Sequence, residues 1–173
     1  MITILIQDFN TFTQDFYDSV INFLQLHSLE CSCGHFGCLT IHGYYKRYVI
    51  TPDGKVPLKI CRVKCSECGR THALLLSSIT PYSQIPTEVQ QAISVCYEEG
   101  SDCAALYTGG DGIDENNVKS VICRYVRFWR ERIHAAAANL RNLPELISSC
   151  FSNYSRQFMQ IRPTFNILFS KPT

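Results

Sequence analysis

The stretch VKCSECGRTHALLL, residues 63–76, contains two cysteines, Cys65 and Cys68, that are separated by two residues and followed at once by a glycine. This spacing is typical of a zinc-binding turn, because a two-residue gap lets both thiolates face one ion. Zinc prefers four tetrahedral Cys or His ligands, so these two cysteines supply half of a site. The stretch therefore predicts a second pair of ligands elsewhere in the chain.

The second pair is expected upstream, in the sequence CSCGHFGC at residues 31–38. Cys33 is followed by a glycine, as Cys68 is, which favours Cys33 as a ligand. Its partner is either Cys31 or Cys38, because the gap between the first two cysteines is one residue instead of two. The sequence predicts one structural Zn²⁺ per chain, with these candidate ligands: Cys31, Cys33, Cys38, Cys65 and Cys68.

The ten cysteines allow other interpretations as well. His35 and His72 are reserve ligands for the same ion. A dithiol redox pair is disfavoured, because a reactive CxxC usually opens a helix and the residues after Cys68 favour a strand. Five cysteines have no partner at metal-ligand spacing and are predicted to be small buried side chains: Cys61, Cys96, Cys103, Cys123 and Cys150.

Two segments rich in β-branched and aromatic residues lie between the cysteine groups, HGYYKRYVI (42–50) and KVPLKICRVKC (55–65). The TPDG between them predicts a turn, since Pro52 presets its first central residue and Gly54 tolerates a positive φ. We therefore predict a β-hairpin, with THALLLSSI (71–79) as a third strand. Two cysteine turns joined through such a hairpin make a zinc ribbon.

The net charge of +1 conceals blocks of like charge. Residues 31–72 carry seven basic and two acidic side chains and residues 118–173 carry nine and two, whereas the rest of the chain has no Lys or Arg. A near-neutral chain of this kind can still bind an anionic partner through its basic blocks. On the hairpin, Lys46 and Arg47 are candidate contacts to a phosphate backbone; simple solubility is the alternative.

The first thirty residues predict a short strand, Ile2–Ile6, and an amphipathic helix that packs on a neighbouring element or on a second copy of the chain. No Lys or Arg precedes the apolar run, which is six residues long, so it is neither a signal peptide nor a membrane span. We expect a cytoplasmic protein with reduced thiols and no membrane partner. The apolar stripe of the helix is predicted at Phe12, Phe16, Val20, Phe23 and Leu24.

The chain then becomes helical. Pro86 fits the first turn of a helix, Thr87 and Gln90 have the spacing of a capping box, and Gly100 ends the helix. The segment SDCAALYT (101–108) predicts a second, short helix. A third helix is predicted from a cap at Asp114 to about Leu140, and this order is that of a helix-turn-helix unit.

The third helix has two chemically different sides at 100° per residue. One side is apolar, with Val118, Val121, Ile122, Tyr125, Trp129 and Ile133. The other side suits a DNA groove, because Arg reads guanine, Asn reads adenine and Lys neutralises phosphate; an ordinary solvated face is the alternative. The candidate DNA contacts on it are Asn116, Lys119, Ser120, Arg124, Arg127 and Arg130.

These patterns predict an α+β protein in which a small zinc-ribbon β-hairpin unit is flanked by an N-terminal helix and followed by a helix-turn-helix-like helical bundle. The expected domains are the N-terminal strand and helix at 1–30, the zinc ribbon at 31–82, the helical domain at 83–143 and a C-terminal tail at 144–173.

The sequences CGHFGCLTIHGYYKRYVI and ICRVKCSECGRTHALLLSSITPYSQIP resemble the N-terminal module of bacterial insertion-sequence transposases and their stand-alone relatives of unassigned function. In that module a zinc ribbon precedes a helix-turn-helix. The resemblance is close over residues 31–86 and looser over 87–135. It implies zinc at Cys65, Cys68 and upstream cysteines, and binding of DNA ends or operators by the helical part.

The sequence therefore predicts a non-catalytic DNA-binding protein, either a mobile-element accessory factor or a transcriptional regulator. No P-loop, HExxH or triad pattern is present, and we expect no transposase catalytic domain, which carries three separated carboxylates. The expected partners are double-stranded DNA, a transposase or integrase, and a second copy of the chain. The alternative is a zinc-ribbon adaptor that binds another protein.

Overall fold

A computed structural model of the chain describes residues 1–4, 6, 11–107, 110–131, 133 and 134. Over these residues the protein is mixed α and β, in agreement with the predicted α+β class, with four strands in the order β1-β4-β3-β2. The predicted tail at 144–173 and the predicted end of the third helix near Leu140 lie outside the described residues. The elements are β1 (Ile2–Ile4), α1 (Gln14–Phe23), β2 (Leu39–Thr51), β3 (Gly54–Cys65), β4 (Thr71–Leu76), α2 (Thr87–Glu98) and α3 (Glu115–Tyr125).

The chain forms two compact units. The first contains residues 1–49 and 56–77, and the second contains residues 50–55 and the described residues from 78 onward. The tip of the hairpin thus belongs to the second unit, although the greater part of both strands belongs to the first.

The predicted hairpin and third strand are confirmed. β2 and β3 are joined through the TPDG turn, where Gly54 has a φ of +135°, a conformation that side chains other than glycine rarely adopt. β4 pairs antiparallel with β3, with His72 opposite Val63. Beyond that point β4 pairs in parallel with β1, with Ile2 opposite Leu74.

β4 pairs with β3 only through residues 71–73, and from Leu74 onward its backbone no longer bonds to β3. Helix α1 lies at the opening between these two strands. The hydroxyl of Tyr17 accepts a hydrogen bond from the Cys61 N–H (2.8 Å) and donates one to the Leu74 carbonyl (2.9 Å). The side-chain amide of Gln14 pairs with both backbone groups of Lys59, at 2.6 and 3.2 Å. Two polar side chains of the helix therefore replace the hydrogen bonds that a neighbouring strand would have made.

The predicted apolar stripe of this helix is wrong at one end. Phe23 is 89% exposed, whereas Tyr17, which we did not assign to the stripe, is 1% exposed. Tyr17 is buried because its hydroxyl bonds to one backbone group of β3 and one of β4 where these strands are not paired with each other. The spacing of apolar residues along a helix carries no information about such hydrogen bonds.

The second unit has its own hydrophobic core, which α2 and α3 share. The buried side of α3 follows the predicted stripe, with Val118, Val121, Tyr125, Trp129 and Ile133 all at or below 5% exposure and Ile122 partly buried. Asp114 caps α3 as predicted, accepting a hydrogen bond from the Asn117 N–H at 2.7 Å. After Tyr125 the helix continues as a π-helical turn, Val126–Arg130.

The predicted capping box at the start of α2 does not form. Gln90 is fully buried, and its amide donates to Thr80 Oγ1 (2.9 Å) and to the Ile85 carbonyl (2.8 Å). Thr87 contacts Thr80 through their hydroxyls at 3.0 Å. These side chains brace the segment that leads into the helix instead of capping the helix itself.

The predicted short helix at 101–108 is also wrong. Of its described residues, only Ala105–Tyr107 form a single 3₁₀ turn. The carboxylate of Asp102 accepts the Ala104 N–H at 3.0 Å, and a local bond of this kind competes with helix formation. A segment this short cannot offset the cost of helix nucleation, so the middle helix of the expected helix-turn-helix is missing here.

Candidate metal site and nucleic-acid surface

Four cysteine thiols of the first unit form one cluster. The sulfurs of Cys31, Cys33, Cys65 and Cys68 all lie within 4.8 Å of one another. Two of the Sγ–Sγ distances, Cys31 to Cys68 and Cys33 to Cys65, are 3.7 Å. Disulfide-bonded sulfurs are about 2.05 Å apart, whereas four sulfurs at about 2.3 Å from one tetrahedral ion are about 3.8 Å apart. The cluster therefore has the dimensions of a metal site.

The two cysteine turns, residues 31–35 and 65–70, are closed by the same pair of backbone hydrogen bonds. In the first turn, the Gly34 N–H donates to the Cys31 carbonyl (2.8 Å) and the Cys31 N–H donates to the His35 carbonyl (2.9 Å). In the second, the corresponding bonds run from Gly69 to Cys65 (3.0 Å) and from Cys65 to Arg70 (2.9 Å).

Each bond of the first turn spans one residue fewer than its counterpart in the second. The one-residue gap between Cys31 and Cys33 is therefore a shortened version of the same turn. Both glycines have positive φ, +84° at Gly34 and +68° at Gly69, which is why a glycine follows each cysteine pair.

Backbone N–H groups favour the thiolate form of two of the four cysteines. The Cys68 N–H, 3.4 Å from the Cys65 sulfur, lowers the pKa of the Cys65 thiol to about 6, and the Cys33 N–H lowers the pKa of Cys31 to about 7. The His35 N–H acts to lower the pKa of Cys33, but burial and the neighbouring thiols raise it to about 12. Four thiols this close cannot all ionise without a cation between them.

His72 lies next to the cluster on β4 and is 4% exposed. Its Nε2 is 3.3 Å from the Cys31 sulfur, and its Nδ1 is 3.3 Å from the amino nitrogen of Met1. The sequence marked His72 as a reserve ligand, but the four-sulfur cluster is complete without it. An imidazole N–H in this position can instead donate to the Cys31 thiolate, as groups behind metal ligands commonly do.

Cys38 does not belong to the cluster. Of the two cysteines that the sequence offered as the partner of Cys33, the structure therefore favours Cys31. The Cys38 thiol donates to the His35 carbonyl at 3.3 Å, and the Cys38 carbonyl accepts the Ser66 N–H at 2.8 Å. Burial raises the pKa of Cys38 to about 11. Cys38 thus joins the two cysteine turns through hydrogen bonds, and the exposed ring of His35 takes no part in the cluster.

The cysteines without a predicted metal role divide into two groups. Cys61, Cys96 and Cys103 are buried as predicted. The prediction is wrong for Cys123, which is exposed, because it lies about 140° around the helix from Val118 and so on the polar side. Cys150 lies outside the described residues.

The candidate DNA contacts on α3 are solvent-accessible to different degrees. Asn116, Lys119, Ser120 and Arg127 are exposed, and Arg124 is half-buried. Lys119 forms an ion pair with Glu115 at 2.6 Å, and both side chains are about two-thirds exposed. A surface pair of this kind contributes little to stability, so Lys119 can exchange its partner for a phosphate.

Arg130, in contrast, is paired with a buried carboxylate, although its own side chain is 42% exposed. Its Nε donates to Glu98 at 2.8 Å, and the side chain of Glu98 is 5% exposed. Tyr125 (3.0 Å) and His134 (2.9 Å) contact the same carboxylate. The sequence did not mark Glu98, because an acidic residue at a helix end carries no sign that three groups from a later helix surround it.

The two basic candidates on the hairpin belong to the first unit. Lys46 is exposed, with its ammonium 5.0 Å from the centre of the Tyr48 ring, and Arg47 is half-buried. The structure thus brings the four metal-site cysteines together, whereas the candidate DNA contacts are divided between the hairpin and α3.

A protein-family model described as a domain of unknown function (DUF6431) matches residues 30–105. The matched range contains the four clustered cysteines and ends before α3. No curated protein and no solved structure matches the chain. Among the described residues, no helix has the length and apolar character needed to cross a membrane.

Proposed function

We propose that Cys31, Cys33, Cys65 and Cys68 bind one structural Zn²⁺ and that residues 31–76 are a zinc ribbon. The two Sγ–Sγ distances of 3.7 Å support this assignment. Four protein ligands leave no position open for water or substrate, so the ion has a structural role. Metal analysis of the purified protein tests the assignment, and well under half an equivalent of zinc in folded protein would contradict it.

We further propose that the second unit binds double-stranded DNA through the exposed side of α3. The observation that carries this proposal is the pairing of an apolar stripe, buried except for the partly buried Ile122, with an exposed polar side. That side carries Asn116, Lys119 and Ser120 on α3 and Arg127 in the turn that follows, beside the half-buried Arg124. Arg and Lys supply phosphate contacts, and Asn supplies adenine contacts. Arg130 contributes to stability through Glu98 instead.

The resemblance to insertion-sequence transposases supports the same proposal. It favours a non-catalytic mobile-element accessory factor or transcriptional regulator; a transposase or integrase and a second copy of the chain are further candidate partners. The single 3₁₀ turn at Ala105–Tyr107 means that α3 is presented by α2 and a loop rather than by a standard helix-turn-helix. The second candidate function is a zinc-ribbon adaptor for another protein.

The combined variant Lys119→Ala, Arg124→Ala and Arg127→Ala is expected to lose duplex affinity and to reduce the salt slope of binding by about three, one for each lost phosphate contact. The measurement is a titration of labelled duplex DNA over a range of salt concentrations. The matched control removes three exposed basic residues outside α3, Lys55 and Lys64 on β3 and Arg70 in the second cysteine turn. Unchanged affinity and slope in a folded α3 variant would favour the adaptor.

A further inference from the structure

The first unit carries an open groove that is lined by both strands of its hairpin and by α1. The groove has a volume of about 450 Å³, and its walls include Gln14, Tyr44, Lys46, Pro57 and Lys59. No acidic residue lines it. Tyr44 is 45% exposed, a large accessible fraction for an aromatic ring on a strand.

Lysine side chains stand over the aromatic rings of this face. The Lys59 ammonium is 4.8 Å from the centre of the Tyr44 ring, and the Lys46 ammonium is 5.0 Å from that of Tyr48. Alternate residues of a strand share a face, so Tyr44, Lys46 and Tyr48 point the same way. Rings and cations therefore alternate along this face of β2, and Tyr44 and Lys46 of that row line the groove.

The groove has a fixed wall, because α1 holds β3 in place. The amide of Gln14 bonds to both the N–H and the carbonyl of Lys59, and Leu58 beside it is 2% exposed. A surface that is already ordered does not have to be ordered again when a ligand binds. The two ammonium groups end exposed side chains with four rotatable bonds, so each can turn from a ring to a ligand without a change in the backbone.

We propose that this groove binds single-stranded nucleic acid, with an unpaired base stacked on Tyr44 and the flanking phosphates bound by Lys46 and Lys59. A stacking ring accepts any base, because every base has a π face, and lysines follow a backbone without reading sequence. In a duplex the faces of each base are covered by the base pairs stacked above and below it, so an exposed ring between cations suits an unpaired strand. This activity is independent of duplex binding by α3.

The test is a titration of labelled oligothymidylate and oligouridylate, which distinguishes DNA from RNA as the source of the strand. Tyr44→Phe keeps the ring and should bind as the unaltered protein does. Tyr44→Leu and Tyr44→Ala should each weaken binding roughly 5- to 100-fold, which corresponds to the loss of one stacked base. Lys46→Ala with Lys59→Ala should reduce the salt slope by about 1.4 for a single strand.

Two controls separate this site from the others. Tyr82→Ala removes a tyrosine of the second unit that is 80% exposed and should change nothing. The triple α3 variant should lose duplex binding and keep oligothymidylate binding. The proposal is overturned if Tyr44→Leu, folded by circular dichroism, binds as tightly as the unaltered protein, or if oligoglutamate competes as well as oligothymidylate does, since the groove would then attract any polyanion.

Discussion

At His72 a single buried side chain connects the sheet to the cysteine cluster. Its ring lies on β4, opposite Val63 of β3, and its Nε2 is 3.3 Å from the sulfur of Cys31. A donor behind a metal ligand fixes the orientation of that ligand and offsets part of its negative charge. His72 is therefore a positioning residue for the proposed zinc site rather than a fifth ligand.

Replacing His72 separates these two roles. We expect His72→Leu to weaken metal binding about 10- to 100-fold, because groups behind metal ligands commonly have effects of this size, and His72→Gln to retain part of the affinity through its amide N–H. Competition with a chromophoric chelator measures the affinity. The Co²⁺ spectrum gives the ligand set: it should stay that of four thiolates in both variants, and a spectrum of three thiolates and one imidazole in the unaltered protein would show that His72 is a ligand.

Glu98 predicts an acid-sensitive contribution to stability. Burial acts to raise the pKa of Glu98, but hydrogen bonds from Arg130, His134 and Tyr125 outweigh it and hold the pKa below its usual value. A carboxyl group with a lowered folded-state pKa stabilises the fold above its unfolded pKa of about 4.3, and this stabilisation is lost as the pH falls through the lower folded-state value.

We therefore expect Glu98→Gln to lower the free energy of unfolding by roughly 1–3 kcal/mol at neutral pH, since the amide keeps one acceptor oxygen but loses the buried negative charge to which Arg130 donates. Below about pH 4 the difference from the unaltered protein should begin to shrink, because Glu98 is then protonated in the unfolded state, and it should vanish once the pH falls below the lowered folded-state pKa. Urea unfolding at several pH values measures both effects. Glu99→Gln, an exposed neighbour, is the control and should change little at any pH; equal effects of the two substitutions would contradict the expectation.

At the scale of elements, the sequence predicts what local chemistry decides. The hairpin follows from TPDG and its flanking β-branched residues, and the cap of α3 follows from Asp114. The predicted stripe of α1 was wrong because its burial depends on distant partners, whereas the helix at 101–108 was wrong because the segment is short and Asp102 bonds its own backbone. Tyr17 is buried because its hydroxyl bonds to the backbone of Cys61 and Leu74, which do not bond to each other. No local sequence pattern around Tyr17 indicates these distant partners.

Gly110 and Gly112, just before α3, are also explained by contacts with a distant part of the sequence. A Cβ added to Gly112 would overlap the Thr51 carbonyl oxygen and would lie 2.8 Å from the Gly54 nitrogen. A Cβ on Gly110 would overlap the Pro52 carbonyl oxygen in the same way. Gly110 and Gly112 thus lie directly against the backbone of the hairpin tip, where a side chain does not fit, and α3 begins three residues after Gly112.

Gly112→Ala is expected to destabilise the second unit by about 1–3 kcal/mol, the usual cost of forcing atoms into a closely packed site. The contact is with backbone on both sides, so no flexible side chain can yield. Asp111→Ala, an exposed position between the two glycines, is the matched control. Thermal or urea unfolding makes the comparison, and a Gly112→Ala protein as stable as the control would show that the loop does not approach the tip this closely.

At the scale of the whole molecule, three of the four cysteines of the candidate metal site could be predicted from the sequence, but the fourth, Cys31, could not be distinguished from Cys38. Cys33, Cys65 and Cys68 follow from spacing and from the glycine after each turn. The preference for Cys31 over Cys38 depends on a turn shortened by one residue, whose bonds to Gly34 and His35 appear only in three dimensions. The sequence also did not show that the predicted DNA contacts fall in two different units, because blocks of like charge along a chain contain no information about distances in the fold.

Only the first of the two units holds the thiol cluster, so removal of the metal should affect them differently. We expect a chelator to abolish hydrogen-exchange protection in residues 31–38 and 65–76, because the metal-binding free energy of such a site is folding free energy, about 4 kcal/mol at a thousandfold excess of zinc over its Kd. α2 should keep its protection, since it packs in a separate core. Mass-spectrometric exchange with and without chelator makes the measurement.

Serine substitutions in zinc-loaded samples provide the controls for this experiment. Cys31→Ser should reproduce the chelator's effect without any chelator, because it removes one of the four sulfurs. Cys38→Ser should leave the zinc bound and cost only a weak thiol hydrogen bond, and Cys123→Ser, at an exposed position, should change nothing. Protection lost in α2 together with the cysteine turns would show that the two units unfold as one. Protection kept in both, with the metal shown to be gone, would mean that the ion has no structural role.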